Sequence, residues 1–413
     1  MELEAIILAG GLGTRLRSEV QDVPKSMALI NSRPFMEYLL DHLIAKGVTR
    51  IIFSVGYKSE FIQDHFSSKY KDCEIVYAIE ETLLGTGGAI KNAMKYVQGQ
   101  DVVVVNGDSM FLSDLQAQLD VHKKAEAIAT LALKQMKDIE RYGTVELNQQ
   151  GRIIRFNEKQ PLKEGLINAG SYIFNVNSFQ AIEFPEKFSI EKDFFETCVD
   201  KENLLGYCSD GYFLDIGIPS DFKKAQYEIG VFPEIDDTWT LFMDRDGVIN
   251  KKLDDDYVKT LDELELLPGA IEAIADLSKI FGRIIIVSNQ QGVGKKLMTV
   301  ESLNEIHDFL VKQVEGKGGR IDAIYYAPQL VSENSNMRKP QIGMAVQAKE
   351  DFNEIDFNKS IMIGDSECDM EFGRNAKMIT ILMSKNKNEH QNDYVITDLP
   401  EFYEVLNSIL QVR

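Results

Sequence analysis

Twice along this chain a short, uninterrupted aliphatic run stops on residues suited to phosphate. Residues 5–11 read Ala-Ile-Ile-Leu-Ala-Gly-Gly, and residues 240–247 read Thr-Leu-Phe-Met-Asp-Arg-Asp-Gly. Runs of this kind mark strands buried on both faces, as in a parallel sheet. In the first half they recur at 51–55, 75–79 and 102–105. Between them, residues 35–45 set Phe35, Tyr38, Leu39 and Leu43 at helical spacing, and 89–97 reads the same way. Strands alternating with helices give βαβ units. The pattern changes over 142–176, where 144–147, 153–156 and 171–174 read as shorter strands with a turn at Gln150-Gly151. A second alternation starts near Thr240, with strands at 241–243, 284–287 and 361–363 and helices at 270–279 and 300–314. After Ser384 a polar stretch reads as a loop before a final strand and helix. The expectation is two α/β domains, 1–232 and 238–413, joined by the proline-containing acidic stretch 231–237 with the boundary near 235.

The length agrees: 413 residues suggest two or three domains, long enough to bury cores without disulfide or metal staples. Lys plus Arg is 45 and Asp plus Glu is 65, a formal charge of −20. Such a chain repels a phosphate backbone, so no nucleic-acid partner is expected. Four scattered cysteines, Cys73, Cys198, Cys208 and Cys368, form no C-x-x-C pair. That argues against a disulfide framework or a zinc ribbon and fits a reducing, cytoplasmic location. The first residues carry no basic segment before a long apolar core, so no signal peptide is expected. No apolar run reaches the roughly 18 to 20 residues of a membrane span.

Residues 8–17 read Leu-Ala-Gly-Gly-Leu-Gly-Thr-Arg-Leu-Arg directly after the first strand. Gly10, Gly11 and Gly13 permit a tight turn that brings backbone N–H groups to phosphate oxygens. Arg15 adds a planar donor fork, and Lys25, after Pro24, adds a point charge. Asp108 lies at a strand end in Asn106-Gly107-Asp108, where a carboxylate suits Mg²⁺ beside phosphates. Asp108 and Asp215, each taken alone, also fit a turn cap. In their order the motifs resemble the sugar-1-phosphate nucleotidyltransferases over about residues 3–228. That resemblance implies a Rossmann-like domain with a mixed sheet. It places Leu8, Ala9, Gly10, Gly11, Gly13, Thr14, Gly85, Thr86, Gly87 and Asp108 at the nucleotide. Gly143, Glu158, Lys159, Asn168 and Gly170 fall on the sugar pocket, with Lys159 holding the sugar phosphate. Asp108 and Asp215 become the metal carboxylates, Arg15 and Lys25 the catalytic cations. The run Glu158-Lys159-Gln160-Pro161 departs by one residue from the family's E-K-P. The implied reaction is in-line attack of a sugar 1-phosphate on the α-phosphorus of a nucleoside triphosphate, which needs charge neutralisation and alignment. The wording around 8–43 resembles the mannose-1-phosphate and heptose-1-phosphate guanylyltransferases, which implies GTP.

In the second half the strand ends on Asp244, and Asp246 can address the same site. Asp244 suits attack on phosphorus to form an aspartyl-phosphate, and Asp246 suits proton delivery and then water activation. Gly247 permits the sharp turn. Further along come Val287-Ser288-Asn289-Gln290, Arg338-Lys339-Pro340 and Gly364-Asp365-Ser366-Glu367-Cys368-Asp369. Together these resemble the haloacid-dehalogenase-like phosphatases over about 238–385. The resemblance implies Asp244, Asp246 and Lys339 as catalytic, and Ser288, Asn289 and Arg338 as substrate-binding. It implies Asp244, Asp246 and Asp365 as holders of Mg²⁺. Between Asn250 and Ile284 there is room only for a minimal cap. Within that superfamily the wording is similar to a branch of heptose-bisphosphate and histidinol-phosphate phosphatases, whose zinc loop precedes R-K-P. Residues 326–337 contain neither Cys nor His, so no structural zinc is expected. Lys295 and Lys296 fit either a second substrate phosphate or a solvated pair.

Fused enzymes commonly share a pathway. A 7-phosphatase acting on heptose 1,7-bisphosphate would feed a guanylyltransferase that makes GDP-D-glycero-α-D-manno-heptose for surface glycans. The partners expected are then GTP and heptose phosphates, with no membrane, and a homo-oligomer is compatible. The rivals are a mannose-1-phosphate guanylyltransferase fused to another phosphatase, and a non-catalytic sugar-nucleotide sensor. The intact set Arg15, Lys25, Asp108, Asp215, Asp244, Asp246 and Asp365 speaks against the sensor.

Overall fold

The structure, a computed structural model, describes residues 3–11, 16, 23–139, 141–157, 162–253, 256–385 and 394–410. Gly13, Thr14, Arg15, Glu158 and Lys159 lie outside these residues. The chain divides into two compact units, one through Ile229 and one from Gly230.

In the first unit, Leu3–Leu8 is a central strand with Asp101–Asn106 on one side and Val48–Val55 then Cys73–Ile79 on the other, all parallel. Ile6, Ile52, Val104 and Ala78 are fully buried, which explains why these strands read as unbroken aliphatic runs. The chain builds one side of Leu3–Leu8, then crosses to the other. This reversal opens a crevice at the carboxyl ends of Leu3–Leu8 and Asp101–Asn106, where open α/β sheets take their ligands. The sheet continues through antiparallel Leu162–Asn175, which pairs with Asp101–Asn106, with Ala129–Ile139 and with Thr144–Leu147. Among the described residues it has ten strands. A two-stranded ribbon, Ser109–Phe111 with Phe213–Asp215, sets Asp215 opposite Ser109 and so close to Asp108.

The second unit is a six-stranded sheet among the described residues, all parallel. Its order is Ala323–Ala327, Arg283–Asn289, Thr240–Met243, Ser360–Gly364, Ile379–Met383, Tyr394–Ile396. Thr240–Met243 is central and first in sequence, so the reversal falls at its carboxyl end, beside Asn289 and Gly364. Between Thr240–Met243 and helix Ala270–Leu277 the described residues form one 3₁₀ turn, Leu261–Glu263, and two isolated bridges through Asn250, so the cap is small.

The stretch 231–237, expected as a linker, is not free of the fold. Phe232 and Ile235 are buried, and the Phe232 ring meets Tyr394 and Phe402 edge-on at 5.3 and 5.6 Å. Two apolar anchors among proline and acids are too sparse to show periodicity, yet they hold the segment to the second unit.

Candidate active sites

In the first crevice, Lys25 stands at the start of a 3₁₀ turn, Lys25–Met27, whose Ser26 and Met27 are buried. Its ammonium donates to Asp108 Oδ2 at 2.6 Å and to Asp215 Oδ1 at 3.5 Å, with the side chain only 11% exposed. Gly217 N–H holds Asp215 Oδ1 at 2.7 Å. Burial and the neighbouring Asp108 push the Asp215 carboxyl above its ordinary range, while Lys25 draws it back. Two carboxylates that converge on one cation suit a divalent ion.

Beside them is a cavity of about 270 Å³ bordered by Asp108, Arg141, Asn168, Gly170, Glu191 and Asp215, among others. Asn168 is fixed through both ends of its amide: Nδ2 donates to Tyr172 Oη at 2.9 Å, and Oδ1 accepts from Gly170 N at 3.1 Å. Asn168 N–H also donates to Gly143 O at 2.9 Å. Glu191 comes from a π-helical turn, Ile190–Phe195, that buries Phe194 and Phe195 in the core and leaves Glu191 on the cavity side. Thr86 Oγ1 and Ser189 Oγ each donate to Glu191 Oε2 at 2.8 Å.

The run Gly85-Thr86-Gly87-Gly88, which precedes the helical pattern expected over 89–97, is the first turn of helix Gly85–Ala93. Gly87 is a packing glycine: a Cβ there would lie 2.2 Å from the Phe188 ring. Three glycines hide this turn from a propensity reading, because each disfavours helix on its own. Glu80, not anticipated from the sequence, lies just past Cys73–Ile79. Its Oε1 accepts from Ser54 Oγ at 3.1 Å and its Oε2 from Leu84 N at 3.3 Å. The same Oε1 is 2.8 Å from where a Cβ on Gly10 would sit, so the glycine turn borders this carboxylate.

In the second crevice, Lys339 is the hub. Its ammonium, 2% exposed, reaches Asp244 Oδ1 at 2.9 Å, Asp369 Oδ1 at 2.5 Å and Val287 O at 2.9 Å. Burial alone would lower the Lys339 pKa; Asp244 and Asp369 hold it above the ordinary value. Lys339 Nζ is the cation paired with Asp244 Oδ1. Asp244, Asp365 and Asp369 offer ligand atoms within 4.8 Å of one another. Three carboxylates whose oxygens converge in this way fit a divalent cation. Gly247, at φ +92°, lies against Asp365 Oδ2, closer than any side chain would permit.

The remaining expected residues are placed unevenly. Asp246 stands outside the acidic cluster: it accepts from Arg245 at 2.9 Å, Asn250 at 2.9 Å and Gln290 at 2.7 Å. Although burial would raise it, Arg245 and these bonds hold its carboxyl below the usual range. In this position Asp246 is ionised and suits the base half of its expected role; to give a proton it must first leave Arg245. Asn289 is spent on the main chain of Lys339, accepting from its N–H at 3.0 Å and donating to its carbonyl at 3.1 Å. Ser288 Oγ accepts from Gln290 at 2.8 Å, and Arg338 Nη1 is buried without a partner among the described residues. Asp369, not singled out from the sequence, supplies the third carboxylate. It also caps helix Glu367–Asn375 by accepting from Ser366 N–H at 3.2 Å, and from Ser366 Oγ at 2.6 Å. A capping position ordinarily has no other task, which is why the sequence did not mark it. Lys252 covers Asp365 at 2.8 Å from the exposed side. In the loop 328–337 the turn closes on itself, with Leu330 N–H donating to Glu333 Oε2 at 3.0 Å.

Residues 4–230 match the family model described as nucleotidyl transferase. The chain belongs to the nucleotidyl transferase family. Residues 234–405 match a second model, polynucleotide kinase 3 phosphatase, so a haloacid-dehalogenase-like phosphatase domain follows the nucleotidyl transferase domain. The nucleotidyl transferase domain is 47% identical over 227 residues to a D-glycero-alpha-D-manno-heptose 1-phosphate guanylyltransferase of Aneurinibacillus thermoaerophilus. That alignment takes in 55% of this chain and 98% of the relative. It is 43% identical over 220 residues to the protein of the same name from Campylobacter jejuni, 53% of this chain and 97% of the relative. Among solved structures, HddC from Yersinia pseudotuberculosis superposes with a TM-score of 0.50 at 34% identity. It covers 55% of this chain and 99% of its own. The chain is therefore an enzyme that joins a nucleotidyltransferase to a phosphatase-family domain. No helix among the described residues is long and apolar enough to cross a membrane.

Proposed function

We propose that the second unit removes the 7-phosphate of D-glycero-D-manno-heptose 1,7-bisphosphate. The first then transfers GMP from GTP to the resulting D-glycero-α-D-manno-heptose 1-phosphate, releasing pyrophosphate. The observation that carries this reading is the 47% identity over nearly the whole of a heptose 1-phosphate guanylyltransferase, on a chain that adds a phosphatase. Mg²⁺ would be held by Asp108 and Asp215 in the first unit and by Asp244, Asp365 and Asp369 in the second. When bound it supplies charge neutralisation at the phosphates. Asp244 attacks phosphorus, an Oδ–P bond forms and the P–O bond to C7 breaks, with the leaving oxygen taking a proton. Lys339 keeps Asp244 oriented and offsets the charge gathered there. Asp246, released from Arg245, serves the leaving oxygen and then draws a proton from the water that cleaves the aspartyl-phosphate.

The cation at the second site should bind with a pH dependence. Burial pushes the Asp244 carboxyl up to about 7, Asp369 and Asp246 push the same way, and Lys339 opposes them. A metal needs the carboxylate, so affinity is present above that value and is lost as pH falls through it. With the first site disabled by Asp108→Asn, a Mn²⁺ titration should weaken about tenfold per pH unit below 7. A flat profile would remove Asp244 from the metal site.

Guanine presents two adjacent donors, N1–H and the N2 amino group, and a carboxylate accepts both. Glu80, beside the glycine turn, supports this reading of the base. Glu80→Gln turns one acceptor into a donor, and kcat/KM for GTP should fall about 10- to 100-fold. ATP turnover should stay level, so the preference narrows; equal losses with both nucleotides would move base recognition elsewhere.

The whole reading is tested by incubating the chain with heptose 1,7-bisphosphate, Mg²⁺ and each of the four ribonucleoside triphosphates, with mass spectrometry of the products. Nucleotide-activated heptose should form far faster with GTP than with the other three. An untouched bisphosphate would overturn the heptose assignment. A 3′-phosphorylated oligonucleotide run alongside should release no phosphate, because a chain of net charge −20 repels it.

A further inference from the structure

The cavity beside Asp108 and Asp215 has an unbalanced lining. Three carboxylates face it, those of Asp108, Glu191 and Asp215. Among the described residues that border it, Arg141 is the one cation. Lys25 is already paired with Asp108 and Asp215, so a sugar 1-phosphate, which carries close to two negative charges at neutral pH, needs a further cation in the wall.

Arg141 is built into this wall and is only partly used. Its Nη2 donates to Tyr142 Oη at 3.2 Å and is ion-paired with Asp221, in the first turn of helix Pro219–Glu228. Its ring neighbour Tyr142 is itself packed edge-on against Phe213, next to Asp215. Arg141 Nη1, in contrast, is buried with no hydrogen-bond partner among the described residues. A guanidinium nitrogen shut away from water without an acceptor is costly, and a planar donor fork is the group best matched to phosphate.

We propose that Arg141 binds the 1-phosphate of the incoming sugar, with Asp221 holding the guanidinium at the cavity wall. This inference rests on the nucleotidyl-transfer reading of the first unit and names a residue that grips its second substrate. The phosphate is held by charge and hydrogen bonds, so the role does not depend on which sugar is attached.

The test is steady-state kinetics of the full chain with D-glycero-α-D-manno-heptose 1-phosphate and GTP, for wild type, Arg141→Gln, Arg141→Lys and Asp221→Asn. KM for the sugar phosphate should rise roughly 10- to 100-fold in Arg141→Gln, with KM for GTP unchanged. Arg141→Lys keeps the charge and should recover part of that loss. Asp221→Asn should cost less than Arg141→Gln, because the guanidinium stays. If Arg141 served only to fasten the helix, Asp221→Asn would match Arg141→Gln, and both KM values would move together; that result would overturn the proposal. So would an unchanged KM for the sugar phosphate in a folded Arg141→Gln. The sugar assignment fails separately. A wild type that accepts mannose 1-phosphate and refuses the heptose compound would overturn the heptose, and the Arg141 variants are then judged on mannose 1-phosphate by the same KM split.

Discussion

Asp244→Asn is expected to bring phosphate release from heptose 1,7-bisphosphate to background, a loss of about 10⁴-fold or more, since an amide cannot form the covalent aspartyl-phosphate. The fold should survive. Asparagine has the same shape, and Lys339, the buried cation Asp244 faces, keeps Asp369 at 2.5 Å and the Val287 carbonyl at 2.9 Å. The lysine is thus not left as an unpaired buried charge, the situation that costs several kcal/mol when an ion pair is broken. Burial also disfavours the ionised form of Asp244, so losing its charge removes little that the folded state relies on. Nucleotidyl transfer from supplied heptose 1-phosphate should be unchanged, because Lys25, Asp108 and Asp215 lie in the other compact unit. Assaying phosphate release and GDP-sugar formation on one preparation separates the outcomes. Loss of both activities in a folded variant would mean that the two units do not work independently.

What could be read from the sequence follows from how each element is held. The strands Leu3–Leu8, Val48–Val55, Cys73–Ile79 and Asp101–Asn106 are set mainly by burial, and burial is written in side chains. Helix Phe35–Ala45 buries Phe35, Leu39 and Leu43 at helical spacing, and its residues coincide with the expected ones. Leu162–Asn175 is different. Only 171–174 reads as strand, because the first residues, Leu162, Lys163 and Glu164, are exposed and are held by the ladder to Ala129–Ile139. Backbone pairing leaves no side-chain period to find. The same distinction separates the site residues. Motif order points to Lys25, Asp108 and Asp215, and the structure brings all three together. Glu80 and Glu191 were missed. Glu80 becomes notable only when Cys73–Ile79 is laid beside Val48–Val55 and its carboxylate meets Ser54. Glu191 becomes notable only when the π-helical turn that buries Phe194 and Phe195 turns it to the cavity. Both are consequences of tertiary pairing, and a single chain read in order carries no signal of it.

Lys25→Ala should give two effects of opposite sign. The ammonium now occupies the space between Asp108 and Asp215, so a divalent ion that uses both carboxylates must take its place. In the wild type the lysine can yield only if it finds another anion, and the triphosphate supplies one. Cation binding and nucleotide binding are thereby coupled, each favouring the other by the same factor. With alanine the competitor is gone, and the two carboxylates repel each other without relief. Mn²⁺ binding in the absence of nucleotide should therefore strengthen about tenfold or more, the more so because Asp215 is already raised by Asp108. Transfer should nevertheless fall about 10²- to 10³-fold, as it does when one preorganised charge on a developing anion is removed. Phosphate release in the second unit should not change. A lysine that merely supported the fold would weaken both cation binding and transfer, and normal transfer kinetics would remove Lys25 from the site. Tighter cation binding with slower transfer is the combination that only a cation shared between carboxylates and substrate produces. It would explain why the site keeps a partly buried lysine where a third carboxylate would hold the metal more firmly.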